Sequence, residues 1–168
     1  GGYVHGVDAK DGKQLWRAPI FKGESYAIAS MPIVKDNFVY VTSGYGAGCH
    51  LFELDKSLKP TDLYSKKSLK TVKNTHGGLV LVDGQIFGHT ENSSWVCQDW
   101  KTGKEVWLER DKFKTKSGSI TAAEGMLYLY TEDGEVALVK ASTDGLEDIG
   151  SFTLPQLSKY TETRSLIQ

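Results

Sequence analysis

The fold prediction starts from one stretch, Val96-Cys97-Gln98-Asp99-Trp100-Lys101-Thr102-Gly103-Lys104-Glu105-Val106-Trp107. The bulky residues up to Trp100 favour a short strand. A polar segment follows, in which Gly103 supplies the freedom that a tight turn needs at a positive φ. The residues up to Trp107 resume an extended pattern. The stretch therefore predicts a strand, a turn and a second strand.

The same pattern occurs near the N-terminus, in Val7-Asp8-Ala9-Lys10-Asp11-Gly12-Lys13-Gln14-Leu15-Trp16. In both copies Gly-Lys-x-x-Trp follows a short strand. Trp16 and Trp107 lie 91 residues apart, which is about twice the ~40–50 residues of one propeller blade. This spacing predicts two copies of a repeat with a degenerate copy between them.

Three further turns divide the chain into similar units. They are Asp36-Asn37, Asp83-Gly84 and Glu124-Gly125, and each lies between two apolar runs, as in a β-hairpin. Each unit then continues into two more short strands, and no convincing amphipathic helix appears. Many short strands at near-even spacing indicate a sandwich, a barrel or a propeller, and the repeat length favours the propeller.

The sequence thus predicts an all-β propeller of four-stranded antiparallel blades that is incomplete in this chain. The predicted boundaries are a partial blade at 1–22, full blades at 26–66, 74–110 and 117–155, and a tail or a connection to a missing blade at 156–168. Because an open array of blades leaves two faces uncovered, we expect a fragment of a larger propeller. The alternatives are that two copies associate or that the missing blades come from another chain.

Composition excludes several classes of function. A net charge of −1 with 24% charged residues does not favour a nucleic-acid-binding surface. No apolar run approaches the ~18 residues of a membrane span. Cys49 and Cys97 do not make a disulfide framework, so they are either two buried thiols or one optional bridge.

The repeated motif resembles that of the pyrroloquinoline-quinone (PQQ)-like β-propeller family. The resemblance is carried by a strand ending in Asp-Ala, a Thr-Gly-Lys turn and a Trp. One copy lies at 8–16, where Asp11 replaces the Thr, and the other at 99–107, where Trp100 replaces the Ala. Thr143-Asp144-Gly145 keeps a trace of it. Segments 74–78 and 131–139 also resemble uncharacterised bacterial PQQ-like repeat proteins. The family includes quinoprotein alcohol dehydrogenases and the lipoprotein subunit of the outer-membrane β-barrel assembly machine.

The resemblance implies a structural role for Gly12, Trp16, Gly103 and Trp107. The outer-strand Trp of one blade packs across the turn peptide of a neighbouring blade, and the Gly lets the two backbones approach. A buried Trp contributes apolar burial, and its indole N–H needs a partner. We therefore expect these four residues to dock one blade on the next.

The family's enzymes bind PQQ and calcium in the central channel beside an adjacent-cysteine disulfide and a catalytic Asp. This chain has no adjacent Cys pair, and the sequence around Asp8 and Asp11 misses the calcium-loop pattern. We therefore expect no cofactor, no metal and no catalytic residue here. A part of a PQQ-dependent dehydrogenase, with its cofactor residues mainly outside this chain, is the alternative.

Three residues are candidate contacts for a ligand or partner. Asn74 and His76 lie just before an inner strand, where they either face the channel mouth or bond to backbone. Trp95 follows a polar loop and is either an exposed binding aromatic or packed between blades. The favoured function is a non-catalytic scaffold or binding module for a protein or saccharide partner. The family resemblance implies a periplasmic or extracytoplasmic location.

Overall fold

The computed structural model describes residues 2–20 and 29–156, which form four antiparallel sheets that follow one another along the chain. We call these sheets blades A to D. Blade A contains β1 (Tyr3–Val7) and β2 (Gln14–Pro19); blade B contains β3 (Ile33–Lys35), β4 (Phe38–Ser43), β5 (Gly48–Leu54) and β6 (Pro60–Asp62); blade C contains β7 (Leu79–Val82), β8 (Gln85–Thr90), β9 (Ser94–Asp99) and β10 (Glu105–Glu109); blade D contains β11 (Gly118–Ala123), β12 (Met126–Thr131), β13 (Glu135–Lys140) and β14 (Asp148–Thr153). One turn of 3-10 helix, Ser68–Lys70, lies between blades B and C.

Each four-stranded blade is a meander in which neighbouring strands pair in chain order. The first hairpin of each blade closes through two residues whose first member has a positive φ: 54° at Asp36, 46° at Asp83 and 52° at Glu124. Such turns match the right-handed twist of the flanking strands. The predicted all-β organisation, with three four-stranded units after a partial one, is confirmed.

The ends of some strands differ from the sequence prediction. The sequence Asp62-Leu63-Tyr64 predicts the last strand of blade B at 62–64, whereas this strand is Pro60–Asp62. Pro60 lacks an N–H, and an outer strand tolerates that loss because one of its edges is unpaired. The expected partial-blade end and the start of the second unit, at 22 and 26, lie outside the described residues, as does the tail after residue 156.

Apolar clusters fill the space between successive blades. Val39, Val41 and Phe52 pack with Ala18 and Ile20 between blades A and B. A second cluster joins blades B and C, and a third joins blades C and D. Their members are Tyr40, Cys49, Leu51, Tyr64, Val72, Ile86, Val96 and Trp100 in the second, and Phe87, Trp95, Cys97, Phe113, Ile120, Leu127, Leu129, Ala137, Val139 and Leu146 in the third. Each blade is therefore stabilised mainly by its neighbours.

Candidate binding surface

His76 lies at the boundary between blades C and D. The Oγ of Ser117 is 3.0 Å from its Nδ1 and 3.1 Å from its Nε2. The Oε1 of Glu132 is 3.8 Å from the same Nε2. In a catalytic relay, the nucleophilic hydroxyl is hydrogen-bonded to one nitrogen of the imidazole and a carboxylate is hydrogen-bonded to the other. The Ser117 hydroxyl is about equally far from both ring nitrogens, and the Glu132 carboxylate lies beyond hydrogen-bond distance. The arrangement is therefore a polar contact between blades.

The segment that carries His76 is wedged between blades B and D. Gly77 has a φ of 84° and lies against the carbonyl oxygen of Gly118, so a side chain there has no room. The N–H of Ile120 donates to the Gly77 carbonyl over 3.3 Å. On the other side, a Cβ on Gly44 would lie 2.8 Å from the Oγ1 of Thr75. The segment therefore contacts the blades on both sides of it.

Asn74 is buried, and its side chain bonds in three directions. Its Nδ2 donates to the carbonyl of His89 over 2.8 Å and to that of His76 over 2.9 Å. Its Oδ1 accepts a hydrogen bond from the hydroxyl of Ser30. Its backbone N–H donates to the Oγ1 of Thr42 over 3.3 Å. These bonds connect blades B and C with the segment that leads into blade B.

Trp95 is only 1% exposed. Its Nε1 donates to the carbonyl of Phe113 over 3.0 Å, and its ring meets the imidazole of His89 edge-on, with centroids 5.2 Å apart. The Nε2 of His89 lies 3.2 Å from the carbonyl of Thr115. Burial lowers the pKa of His89 to about 4. Trp95 thus packs inside the protein, the second of its two alternatives, and offers almost no surface to a partner.

Two aromatic side chains reach from one blade to a turn of the next. The Nε1 of Trp107 donates to the carbonyl of Ser142 over 2.9 Å, and the hydroxyl of Tyr64 donates to the carbonyl of Trp100 over 2.8 Å. Both acceptors lie three residues before a turn glycine, Gly103 in blade C and Gly145 in blade D. Blade B therefore contacts blade C in the same way as blade C contacts blade D.

Gly103 sits directly under this contact. It has a φ of 66°, and a Cβ there would meet Ser68 at 2.8 Å and Tyr64 at 2.9 Å. Its carbonyl accepts hydrogen bonds from Thr71 Oγ1 over 3.0 Å and from Gln98 Nε2 over 2.9 Å. The turn also has internal hydrogen bonds, because Asp99 Oδ1 accepts bonds from both the N–H and the hydroxyl of Thr102. The turn is therefore held by bonds within blade C and from the segment that connects blade B to blade C.

Gly12 and Trp16 behave differently in blade A. Gly12 has a φ of 75°, but nothing lies within 4 Å of the position of a Cβ there. The indole of Trp16 covers Gly6 of its own sheet, where a side chain would not fit. Trp16 also packs against the cluster between blades A and B. The two motif copies thus share a turn conformation, while their surroundings differ.

Sequence reasoning missed Tyr64, Gln98 and Ser68 as inter-blade contacts. Gln98 accepts a hydrogen bond from the Tyr40 hydroxyl over 2.9 Å inside the cluster between blades B and C. The signal that could have found Tyr64 is an aromatic residue close to the last strand of blade B, since blades A and C each carry a Trp in their last strand. Gln98 and Ser68 give no such signal, because only the packing of two blades buries them.

The two cysteines are free thiols, and both are buried. Burial raises the pKa of Cys97 to about 12 and also raises the pKa of Cys49. The Sγ of Cys49 accepts a hydrogen bond from Gln98 Nε2 over 3.4 Å. The sequence allowed either two buried thiols or one disulfide bridge, and the structure contains two separate buried thiols.

A groove of about 570 Å³ runs along the innermost strands of blades B, C and D. Its walls are largely apolar, with Lys35 and Asp83 near one end, and include Ile33, Leu79 and Ile120. Among residues 2–20 and 29–156, no group of three or more His, Cys, Asp or Glu is placed to hold a metal ion. The described residues therefore contain no such ligand cluster for a calcium ion, and we assign them no step through calcium or quinone.

Comparison with known proteins identifies the repeat. The family model described as "Outer membrane protein assembly factor BamB" matches residues 1–108 and 58–145. None of the curated proteins matches the chain. Within the described ranges, no helix is both long and apolar enough to cross a membrane.

Solved structures share the fold at low sequence identity. BamB from Moraxella catarrhalis superimposes with a TM-score of 0.68 and 18% identity, over 90% of this chain and 43% of that one. Quinohemoprotein alcohol dehydrogenase ADHIIG from Pseudomonas putida HK5 gives 0.58 and 16%, over 91% and 32%. A europium-containing methanol dehydrogenase gives 0.54 and 17%, over 77% and 25%. The chain therefore spans less than half the length of these structures, and its sheets are propeller blades. The family match, which covers well over half of the chain, shows that it belongs to the PQQ-like repeat β-propeller family described as outer membrane protein assembly factor BamB.

Proposed function

We propose that this chain is a non-catalytic propeller scaffold that presents rigid loops to a protein partner. One observation carries the proposal: the polar side chains with catalytic potential are engaged in contacts between blades. His76 contacts Ser117 and Glu132, and Asn74 bonds to the backbone of blade C. Such contacts support a rigid framework, and a rigid framework is what positions binding loops.

The family description supports a protein partner over a saccharide. BamB is an outer membrane protein assembly factor, and the proposal extends that role to this chain together with an extracytoplasmic location. Of the three candidate contact residues, His76 retains some accessible surface, 16% of its side chain. Asn74 and Trp95 are buried, so they act by holding the surface in place.

Site-specific photo-crosslinking in expressing cells tests this proposal. A crosslinking amino acid is placed at exposed loop positions, and the adducts are identified by mass spectrometry. Discrete adducts with one extracytoplasmic protein support the scaffold. The alternative is a dehydrogenase, and the structural likeness to an alcohol dehydrogenase is its support. A lack of adducts at every position, together with stoichiometric binding of PQQ and calcium, would establish that alternative.

A second proposal, self-association, is favoured by the far face of blade D, defined by Tyr128, Tyr130, Val136, Leu138 and Phe152. Cross-strand pairing places all five on one side of the sheet. Tyr128 is the third residue after its hairpin turn, as are Tyr40 and Phe87 in blades B and C. Those two are 1% and 2% exposed between blades, whereas Tyr128 is 45% exposed. This face therefore has the composition of an inter-blade surface without a blade against it.

We propose that a second copy of this chain covers the far face of blade D with its blade A. Light scattering of the purified chain is then expected to give the mass of a dimer. Tyr128→Lys is expected to yield a monomer because it places a charge in the interface, whereas Tyr45→Lys, an exposed control in blade B, leaves the dimer intact. A monomeric parent chain would contradict the proposal.

A further inference from the structure

The loop between β4 and β5 displays one aromatic side chain to solvent. Tyr45 is 60% exposed, and its backbone has a φ of 55°. A bulky residue rarely adopts this left-handed conformation, and such residues persist only where their surroundings enforce it. Among the described residues, the Tyr45 ring has no hydrogen-bond or ring partner. The conformation therefore presents the ring without using it inside the fold.

Neighbouring elements hold this loop in place from two directions. The N–H of Gly46 donates to Glu91 Oε1 over 2.9 Å, and the carbonyl of Gly46 accepts a bond from Lys70 Nζ over 3.1 Å. Gly44 packs against the backbone of Thr75. The backbone that carries the ring is thus preorganised, so ordering the loop on binding costs little conformational entropy.

A polar pocket adjoins the loop, since both Glu91 and Lys70 also line it. Its volume is about 190 Å³. The pocket contains three cations, Lys70, Lys73 and Arg110, and two anions, Glu91 and Glu105. Lys73 lies 3.8 Å from Glu91 Oε2, so the carboxylate of Glu91 is engaged by Lys73 and by the loop. The side chain of Arg110 has no partner within the described part of the chain, and the remaining balance is positive.

The volume of the pocket indicates which kind of ligand it can hold. Small-molecule and saccharide sites usually enclose about 300–1,000 Å³, whereas this pocket has room for one or two side chains. Tyr and Arg are among the residue types enriched in protein–protein hot spots, and the loop that carries Tyr45 bonds to Glu91, which lines the pocket together with Arg110. We propose that Tyr45 and Arg110 form a docking surface for an acidic, extended protein segment, which places a carboxylate at Arg110 and apolar atoms on the ring of Tyr45. This inference rests on the proposed scaffold function and assigns its contact surface.

Fluorescence anisotropy tests the surface with a labelled ten-residue peptide of alternating Glu and Val. Matched peptides carry Lys or Gln in place of Glu. The Glu peptide is expected to bind most tightly and to weaken as salt rises. Tyr45→Ala and Arg110→Glu are each expected to weaken binding by about tenfold or more.

The chain supplies a matched control pair at blade A. Tyr3 is also an exposed aromatic beside an arginine, with Arg17 5.1 Å from its ring centroid. Tyr3→Ala and Arg17→Glu are expected to leave peptide binding unchanged. Equal binding of all three peptides, equal effects of the two variant pairs, or binding of a sulfated dextran at Arg110 in place of the Glu peptide would overturn the inference.

A photo-crosslinker at Tyr45 separates this inference from the scaffold proposal. Protein adducts at Tyr45 that decrease in the Arg110→Glu background support both. Protein adducts at Tyr3 and none at Tyr45 would refute this surface while the scaffold function stands. An absence of adducts at both positions, with stoichiometric quinone binding, would refute the scaffold itself.

Discussion

Gly103→Ala is the sharpest test of how the blades are held together. Gly103 and Gly12 occupy the same place in two copies of one motif, with φ values of 66° and 75°. A Cβ on Gly12 has open space around it, whereas one on Gly103 meets Tyr64 and Ser68, which follow the last strand of blade B, at 2.9 Å and 2.8 Å. Gly12→Ala is therefore the matched control, because it carries the backbone strain without the contact.

The expected losses of stability follow from the backbone strain and from the contact made by the added Cβ. Placing Ala in the left-handed region costs about 1–2 kcal/mol, which applies to both variants. Overpacking a tight contact costs a further ~1–3 kcal/mol, which applies to Gly103→Ala alone. We expect the free energy of unfolding to fall by about 1–2 kcal/mol in Gly12→Ala and by about 2–5 kcal/mol in Gly103→Ala.

Urea unfolding followed by tryptophan fluorescence measures both losses. The m-value of each variant is compared with that of the parent to check that the transition remains two-state. A loss in Gly103→Ala within ~0.5 kcal/mol of that in Gly12→Ala would refute the reasoning, because the neighbouring blade would then contribute nothing at this turn.

Three other predictions concern single side chains. Trp107→Phe removes the bond to the Ser142 carbonyl and some apolar burial, so urea unfolding should show a loss of about 1–3 kcal/mol; an unchanged midpoint would contradict a docking role for Trp107. Burial lowers the pKa of His89 from 6.5 to about 4, so the unfolded chain binds a proton in this range that the folded chain does not. The free energy of unfolding should therefore be unaffected by this group above pH 6.5 and should fall by up to about 3 kcal/mol as the pH drops from 6.5 to 4, with a weaker pH dependence in His89→Gln; equal slopes in the two proteins would refute it. Cys49 and Cys97 are buried with raised pKa values, so Ellman's reagent should titrate two thiols in the unfolded chain and none rapidly in the folded one; rapid labelling of the native chain would contradict their burial.

The sequence was sufficient for the architecture because each blade has a local signal. The hairpin turns at Asp36, Asp83 and Glu124 each combine a turn residue with flanking apolar runs, and a local rule detects such a turn. The last strand of blade B was misplaced by two residues, because strand ends depend on pairing with the neighbouring strand and on where Pro60 falls.

The candidate site depended on contacts between blades, which a single sequence does not reveal. Asn74 and His76 were predicted as candidate contacts, but their hydrogen-bond partners Ser30 and Ser117 come from other segments of the chain. Tyr45 carries no distinguishing signal in the sequence, because the bonds from Gly46 to Glu91 and from Lys70 to Gly46 join segments far apart in the chain.

Titration with PQQ in the presence of calcium tests the central claim most directly. The measurement uses both this chain and the longest natural protein that contains it, with calorimetry to detect binding and a dye-reduction assay with alcohols to detect turnover. The account predicts no stoichiometric binding and no turnover in either sample. Binding of one PQQ per protein that requires calcium and supports alcohol oxidation would contradict the scaffold function.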